Sequence, residues 1–89
     1  MHLVHLVLTS PDTPEPSPAQ AARILDTLWA HLDPQSGIEH IRTRSGPDAV
    51  DLGLYFAGDG RGAEEQERVI ISRLLSNLPD WNSEILQHL

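Results

Sequence analysis

Four side chains in this sequence could take part in acid–base chemistry or bind an anion if the fold brings them together. They are two imidazoles, a phenol and a guanidinium: His5, His40, Tyr55 and Arg42. Imidazoles and phenols can exchange protons, and a guanidinium can hold a carboxylate or a phosphate. The functional interpretation is a general acid–base site or an anion pocket. We favour the structural interpretation, in which these half-buried residues pair across an interface, because perturbed polar groups often serve structure.

Sequence motifs for metal binding and covalent catalysis are missing. His2 and His5 are three residues apart, which places them on opposite faces of a strand. No H-x-x-x-H pair and no matched carboxylate spacing occurs. The absence of cysteine excludes thiolate zinc sites, iron–sulfur clusters and cysteine nucleophiles, and no serine lies in a G-x-S-x-G motif. We therefore predict no metal, no cofactor and no catalytic residue, and nothing marks the chain as an enzyme.

The glycine-rich segment Gly58–Gly62 lies between a predicted strand and a predicted helix, where phosphate-binding loops also occur. Its sequence, GDGRG, matches neither G-x-x-x-x-G-K-[ST] nor the spacing of G-x-G-x-x-G. Glu64 and Glu65 follow it and would repel a phosphate. We interpret the segment as a flexible connection, with a low-affinity anion site as the alternative.

The first half of the chain predicts a strand and a helix that could position these groups. Residues 3–8 form a short apolar run typical of a buried strand. A loop with three prolines follows and ends at Ser17, which together with Pro18 and Gln20 has the pattern of a capped helix start. Apolar residues recur at helical spacing to about Leu32, and an Asp-Pro pair then ends the helix.

The second half predicts a hairpin and a second helix. Residues 38–44 alternate loosely and residues 49–57 alternate clearly between apolar and polar side chains, with turn residues between them. Residues 63–78 predict a helix whose first turns are rich in glutamate, which the helix dipole favours. The predicted inward stripe of this helix has four residues: Val69, Ile70, Leu74 and Leu78.

The apolar face of this second helix is wider than one stripe, because Ile71 and Leu75 extend it. Together with Trp81 they are predicted to cover one end of the core, and a partner-binding groove is the alternative. The last ten residues are compatible with a short helix or with a strand. We predict a strand, because the order β-α-β-β-α lacks only a final strand to complete a split βαβ pattern.

The complete layout resembles the ferredoxin-like fold, an α+β βαββαβ sandwich whose four-stranded antiparallel sheet carries two helices on one face. The stretches HLVHLVLTSPDTPEPSPAQAARILDTLW and AVDLGLYFAGDG…PDW also resemble small actinobacterial proteins of uncharacterised function. The resemblance covers nearly the whole chain and implies the fold, but it supplies no activity and no catalytic residue. We expect residues 1–89 to form a single ferredoxin-like domain.

In this architecture the sheet face away from the helices is open, and the first and third strands lie in the centre. Alternation predicts ten residues there: Leu3, His5, Val7, Ile38, His40, Arg42, Arg44, Asp51, Gly53 and Tyr55. The last strand adds Gln87 or His88, depending on its register. Six of these residues are our candidate binding residues: Leu3, His5, Val7, His40, Arg42 and Tyr55. Exposed apolar patches usually mark interaction sites. By analogy with the ferredoxin-like fold that the chain resembles, in which sheet-to-sheet pairing is common, we expect a homodimer formed through this face.

Charge excludes other partners. Thirteen acidic residues against six basic ones, all arginine, give a net charge of −7. A nucleic-acid-binding protein usually carries a basic patch, so neither nucleic acid nor an anionic membrane is expected to bind. The first residues, MHLVHLVLTSPD, contain no basic n-region and no cleavage site, and their apolar run is too short to cross a bilayer. We predict a cytoplasmic protein.

Three hypotheses for the function follow. The first, which we adopt, is a non-catalytic interaction module that self-associates through the open sheet and serves a protein partner. The second is small-molecule binding or cofactor-free catalysis in a pocket between the facing sheets of a dimeric α+β barrel, lined by His5, His40, Arg42 and Tyr55. The third is an accessory or immunity-type protein for a basic partner, which an acidic surface would attract.

Overall fold

The computed structural model of the chain describes residues 1–58 and 62–88, and the side chains of these as far as residue 86. Six elements follow one another: β1 (His2–Thr9), α1 (Pro18–Ala30), β2 (Ile38–Ser45), β3 (Val50–Phe56), α2 (Glu64–Leu75) and β4 (Asn82–His88). The order confirms the predicted βαββαβ layout, including the strand at the end. No helix in the described ranges is long and apolar enough to cross a membrane.

The four strands form one antiparallel sheet in the order β2-β3-β1-β4. β1 pairs with β3 on one side and with β4 on the other, so the first and third strands occupy the centre. Because strands that follow each other along the sheet do not all follow each other in the chain, α1 and α2 serve as the crossovers. This arrangement confirms the ferredoxin-like architecture.

The start of α1 follows directly from its sequence. The Ser17 side chain accepts a hydrogen bond from the backbone N–H of Gln20 at 3.2 Å, and the Gln20 side chain accepts one from the backbone N–H of Ser17 at 2.8 Å. This reciprocal pair is the predicted capping box, with Pro18 at the first helical position. Thr43 on β2 donates a hydrogen bond to the carbonyl of Ala21 at 3.0 Å, which ties α1 to the sheet.

The core lies between the helices and one face of the sheet. Alternate residues of the two central strands supply most of it: Val4, Leu6, Leu8, Val50, Leu52, Leu54 and Phe56. The helices and the turn after α2 supply the opposing layer: Ala21, Ile24, Leu28, Ile71, Leu74 and Leu78. Because every second side chain of β1 and β3 points into this core, the side chains between them point to the other face of the sheet.

The predicted inward stripe of α2 is wrong in one position. Val69 is 51% exposed, whereas Ile71 is buried in the core. The inward-facing positions are Glu67, Ile71, Leu74 and Leu78, at helical spacing of four, three and four residues. The inward face of this helix therefore includes a buried glutamate, Glu67, and a hydropathy pattern alone does not predict that position. Leu75 and Trp81 pack partly buried against the core, as predicted.

The predicted place of Ile38 on the open face is also wrong, because Ile38 lies in the core with 9% exposure. A β-bulge causes the difference. Ile38 pairs with Phe56 and His40 pairs with Tyr55, so Glu39 is an additional residue between them. The additional residue reverses the alternation, so Ile38 and Ile41 both face the helices while His40 faces away.

Candidate functional site

The sheet face away from both helices, called the open face below, carries its side chains in rows that run across the strands. Cross-strand pairing on β2, β3, β1 and β4 defines a charged row: Arg44, Asp51, Val7 and Glu84. The next row is the glycine row: Arg42, Gly53, His5 and position 87. The third is the aromatic row: His40, Tyr55 and Leu3. Directly opposed residues in an antiparallel pair point to the same face, so each row shares one surface.

The six candidate binding residues all belong to these rows. Leu3, His5 and Val7 are each half-buried although no helix lies over them. Their partial burial comes from neighbouring side chains within the sheet itself. Tyr55 is half-buried in the same way, whereas His40 and Arg42 are exposed on the edge strand β2. The side chains of Gln87 and His88, which were also predicted here, lie outside the described residues.

Three of the candidate residues contact one another on the β2 side of the face. The rings of His40 and Tyr55 lie 5.5 Å apart between centroids, tilted by 51°. The Nη1 atom of Arg42 donates a long hydrogen bond of 3.5 Å to the Tyr55 hydroxyl. This bond is at the outer limit of hydrogen-bond geometry, so it orients the phenol only weakly.

His5 takes a different partner. Its Nε2 atom lies 3.6 Å from Oδ1 of Asp51, a residue of the neighbouring charged row. Both side chains are partly exposed, and ion pairs in such positions contribute little to stability. His5 therefore lies beside Asp51 and across the strand from Gly53 rather than within the group formed by His40, Arg42 and Tyr55. At 3.6 Å the contact is too long for a hydrogen bond, so Asp51 lies near the His5 imidazole without fixing its orientation.

Gly53 leaves a shallow depression in the centre of the open face, with a volume of about 300 Å³. Its walls include Leu3, His5, Arg42 and Tyr55, four of the candidate residues. A Cβ atom added at Gly53 would lie 3.2 Å from Cδ1 of Leu3 and 3.6 Å from Cε2 of Tyr55. The depression is thus narrow at its base, and it fits the tip of one side chain or a small anion.

Other groups considered in the sequence do not converge on this face. In the part of the chain that the structure describes, no three histidine or carboxylate side chains cluster as a metal site would require. Residues 59–61 of the glycine-rich segment, and with them the alternative anion site, lie outside the described residues. The alternative of a partner-binding groove corresponds to an open groove of about 770 Å³ between α2 and β4, lined in part by Leu75, Trp81 and Leu86.

A buried histidine–glutamate pair on the helix side was missed by sequence analysis. The Nε2 atom of His2 lies 2.6 Å from Oε2 of Glu67, and the two side chains are only 8% and 5% exposed. The His2 ring also stacks on Phe56, with centroids 5.6 Å apart and an interplanar angle of 19°. The spacing of Glu67 from Ile71 and Leu74 was the signal, because it places the carboxylate on the apolar stripe.

On the open face, sequence analysis did not select three residues of the charged row as site residues: Arg44, Asp51 and Glu84. Arg44 and Asp51 were expected on the face, but their alignment with Glu84 in one row depends on strand register. Register follows from tertiary pairing, which composition and spacing do not contain.

No protein-family model, no curated protein and no solved structure matches this chain. The candidate function is therefore argued from the geometry of the open face alone.

Proposed function

We propose that this chain is a non-catalytic interaction module that associates with a second copy of itself through the open face. The distribution of side chains on this face supports the proposal. The central strands carry Leu3, Val7 and Tyr55, and charged side chains occupy the edges, with Arg42 and Arg44 on β2. An apolar centre with a polar rim is the usual anatomy of a protein interface. Asp51, the central charge, already has His5 beside it.

The size of the chain supports self-association as well. A domain of 89 residues buries only about 60–65% of the surface of its unfolded chain, and small domains commonly gain stability from oligomerisation. The chain has no cysteine, so it cannot use disulfides for this purpose. Covering the open face would give the sheet a second buried side.

Light scattering coupled to size exclusion tests this proposal. For the wild-type chain we expect a molar mass twice the chain mass of 9.9 kDa. Tyr55→Glu should shift the protein to the monomer mass, because it places a carboxylate in the apolar centre. The change should spare the fold, because Tyr55 lies on the open face, outside the hydrophobic core.

The matched control is Trp29→Glu, which makes the same aromatic-to-glutamate change at a 44% exposed position on α1. This variant should keep the dimer mass. Circular dichroism of both variants confirms that they are folded. A monomeric wild-type protein, or a Tyr55→Glu variant that is folded and still dimeric, would refute the proposal.

The depression at Gly53 carries the second candidate function, the binding of a small molecule. Its walls include the Arg42 guanidinium and the His5 imidazole, which can donate hydrogen bonds to a small anion, and the Asp51 carboxylate, which opposes one. We rank it second because the depression is shallow in a single copy of the chain. The net charge of −7 also leads us to propose a protein, rather than nucleic acid, as any further partner. A cytoplasmic location stays part of the proposal on the sequence grounds given above.

A further inference from the structure

We infer that the second copy lies on the open face with its strands running in the same direction as those of the first. The two-fold axis then runs along the strands, so β2 of each copy lies over β4 of the other. In this arrangement Arg44 of each copy meets Glu84 of the partner subunit. The inference rests on the proposed self-association and adds its orientation and its specificity contacts.

Basic and acidic side chains lie on opposite edges of the open face. The basic side chains of the open face lie on the β2 edge: His40, Arg42 and Arg44. On the opposite edge, Glu84 of β4 pairs with Val7 and therefore points to the same face. Arg44 and Glu84 belong to one row but lie three strands apart, about 14 Å at the usual strand spacing. They cannot neutralise each other within one chain.

When the strands of the two sheets are aligned, two face-to-face orientations with two-fold symmetry are available, and the charges distinguish them. A two-fold axis along the strands places each row of one copy over the same row of the other copy, in reversed order. Arg44 then faces Glu84 of the partner subunit, and in the aromatic row Tyr55 faces Leu3 of the partner subunit. Both contacts occur twice. Aligned facing sheets are rotated by about 30° relative to each other, which shifts opposed positions at the sheet edges. Arginine and glutamate have long side chains, so they can still make contact across this shift.

An axis across the strands instead places β2 over β2. Arg42 then faces Arg42 of the partner subunit, and Arg44 faces His40 of the partner subunit. This orientation would bring Val7 against the partner's Leu3, a favourable apolar contact. Like charges set against each other in an interface cost more than one such contact gains, so the first orientation is favoured.

The test is a mixing experiment with two charge-reversed variants, Arg44→Glu and Glu84→Arg. Each variant alone should dimerise about tenfold more weakly than wild type, because symmetry repeats each repulsive contact twice. When the variants are mixed, both contacts become attractive again. Native mass spectrometry should then show heterodimer far above the one-half expected from random exchange.

A control pair with the same net charges is Arg23→Glu mixed with Glu65→Arg, which alters exposed residues of α1 and α2. This pair should give the random proportion of heterodimer. A random proportion from the Arg44 and Glu84 variants, with a dimeric wild type, would overturn the orientation and leave self-association standing. A monomeric wild type would instead overturn the self-association itself.

Arg44→Glu also introduces a carboxylate beside Asp51, so a second measurement covers the case in which that variant does not fold. The chain has no cysteine of its own, so Arg44→Cys/Glu84→Cys contains the only two thiols. A thiol-reactive linker shorter than the ~14 Å between these positions within one sheet should join two chains and not one. In Arg44→Cys/His40→Cys the two thiols lie about 13 Å apart on β2, so linkage of two chains of this variant by a linker shorter than that distance would instead establish the opposite orientation.

Discussion

Among the described residues, two histidine–carboxylate contacts lie on opposite faces of the sheet. On the open face, His5 and Asp51 are partly exposed, and their contact is loose. On the helix side, His2 and Glu67 are buried and their contact is short. The histidines predicted to matter, His5 and His40, lie on the open face. The shorter contact involves His2, which sequence analysis considered only as a metal ligand and excluded. The sequence could indicate that histidines and carboxylates are functional candidates, but it could not indicate which of them contact each other.

Glu67→Ala should lower the free energy of unfolding by about 1–3 kcal/mol, because it removes the acceptor of a buried imidazole. The matched control is Glu65→Ala, which removes an exposed glutamate from the same helix. That change should stay within about 0.5 kcal/mol of wild type. Urea unfolding followed by circular dichroism, at one protein concentration, measures both. Equal effects of the two substitutions would contradict a stabilising role for the pair.

At the scale of the elements, the first five could be predicted because each has a local signal, whereas β4 followed only from the order of the other five. The capping box and Pro18 mark the start of α1, and the clean alternation of residues 50–56 marks β3. The two errors arose where a local rule is interrupted by tertiary structure. Glu39 forms a β-bulge in β2, although no glycine or proline within the strand indicates one. Glu67 occupies a position on the apolar, inward face of α2.

The two helices start differently, and this gives a prediction at the same scale. Ser17 caps α1, whereas Ala63 precedes α2 without a side-chain cap and three glutamates occupy the first turns. Ser17→Ala should lower the free energy of unfolding by about 1 kcal/mol, because the backbone N–H of Gln20 loses its side-chain acceptor.

The control for Ser17→Ala is Ser72→Ala, at an exposed position inside α2. Alanine has the higher helix propensity, so this change should be neutral or slightly stabilising. Thermal unfolding of the two variants separates the cap from the general effect of replacing serine. A Ser17→Ala variant as stable as Ser72→Ala would show that the capping box contributes nothing.

At the scale of the whole molecule, net charge and shape act together. Each copy carries a formal charge of −7 on a body whose longest extent is 35 Å. The fold class and the existence of an open face could be predicted from element order alone, since this topology places two helices on one side. The rows on that face could not, because they require the register of all four strands at once.

Two acidic copies repel each other at long range even when their facing edges are complementary. At 0.01 M ionic strength the Debye length is about 30 Å, and at 0.15 M it is about 8 Å. We therefore expect the dimer to become several-fold tighter over this range, because salt screens the overall repulsion before it weakens direct contacts. Sedimentation velocity in a dilution series measures the dissociation constant. A dimer that weakens steadily with salt would contradict this expectation.

The central position of β1 has a consequence for synthesis. β1 is made first, yet Leu6 pairs with Leu52 of β3 and Ile85 of β4, both far later in the chain. Contacts between distant segments form slowly, and an unpaired apolar strand is a template for other chains. During translation both edges of the segment HLVHLVL therefore stay unpaired until β3 has emerged, and one edge stays unpaired until β4 follows. For this chain, the risk of aggregation lies in that interval rather than in the folded molecule.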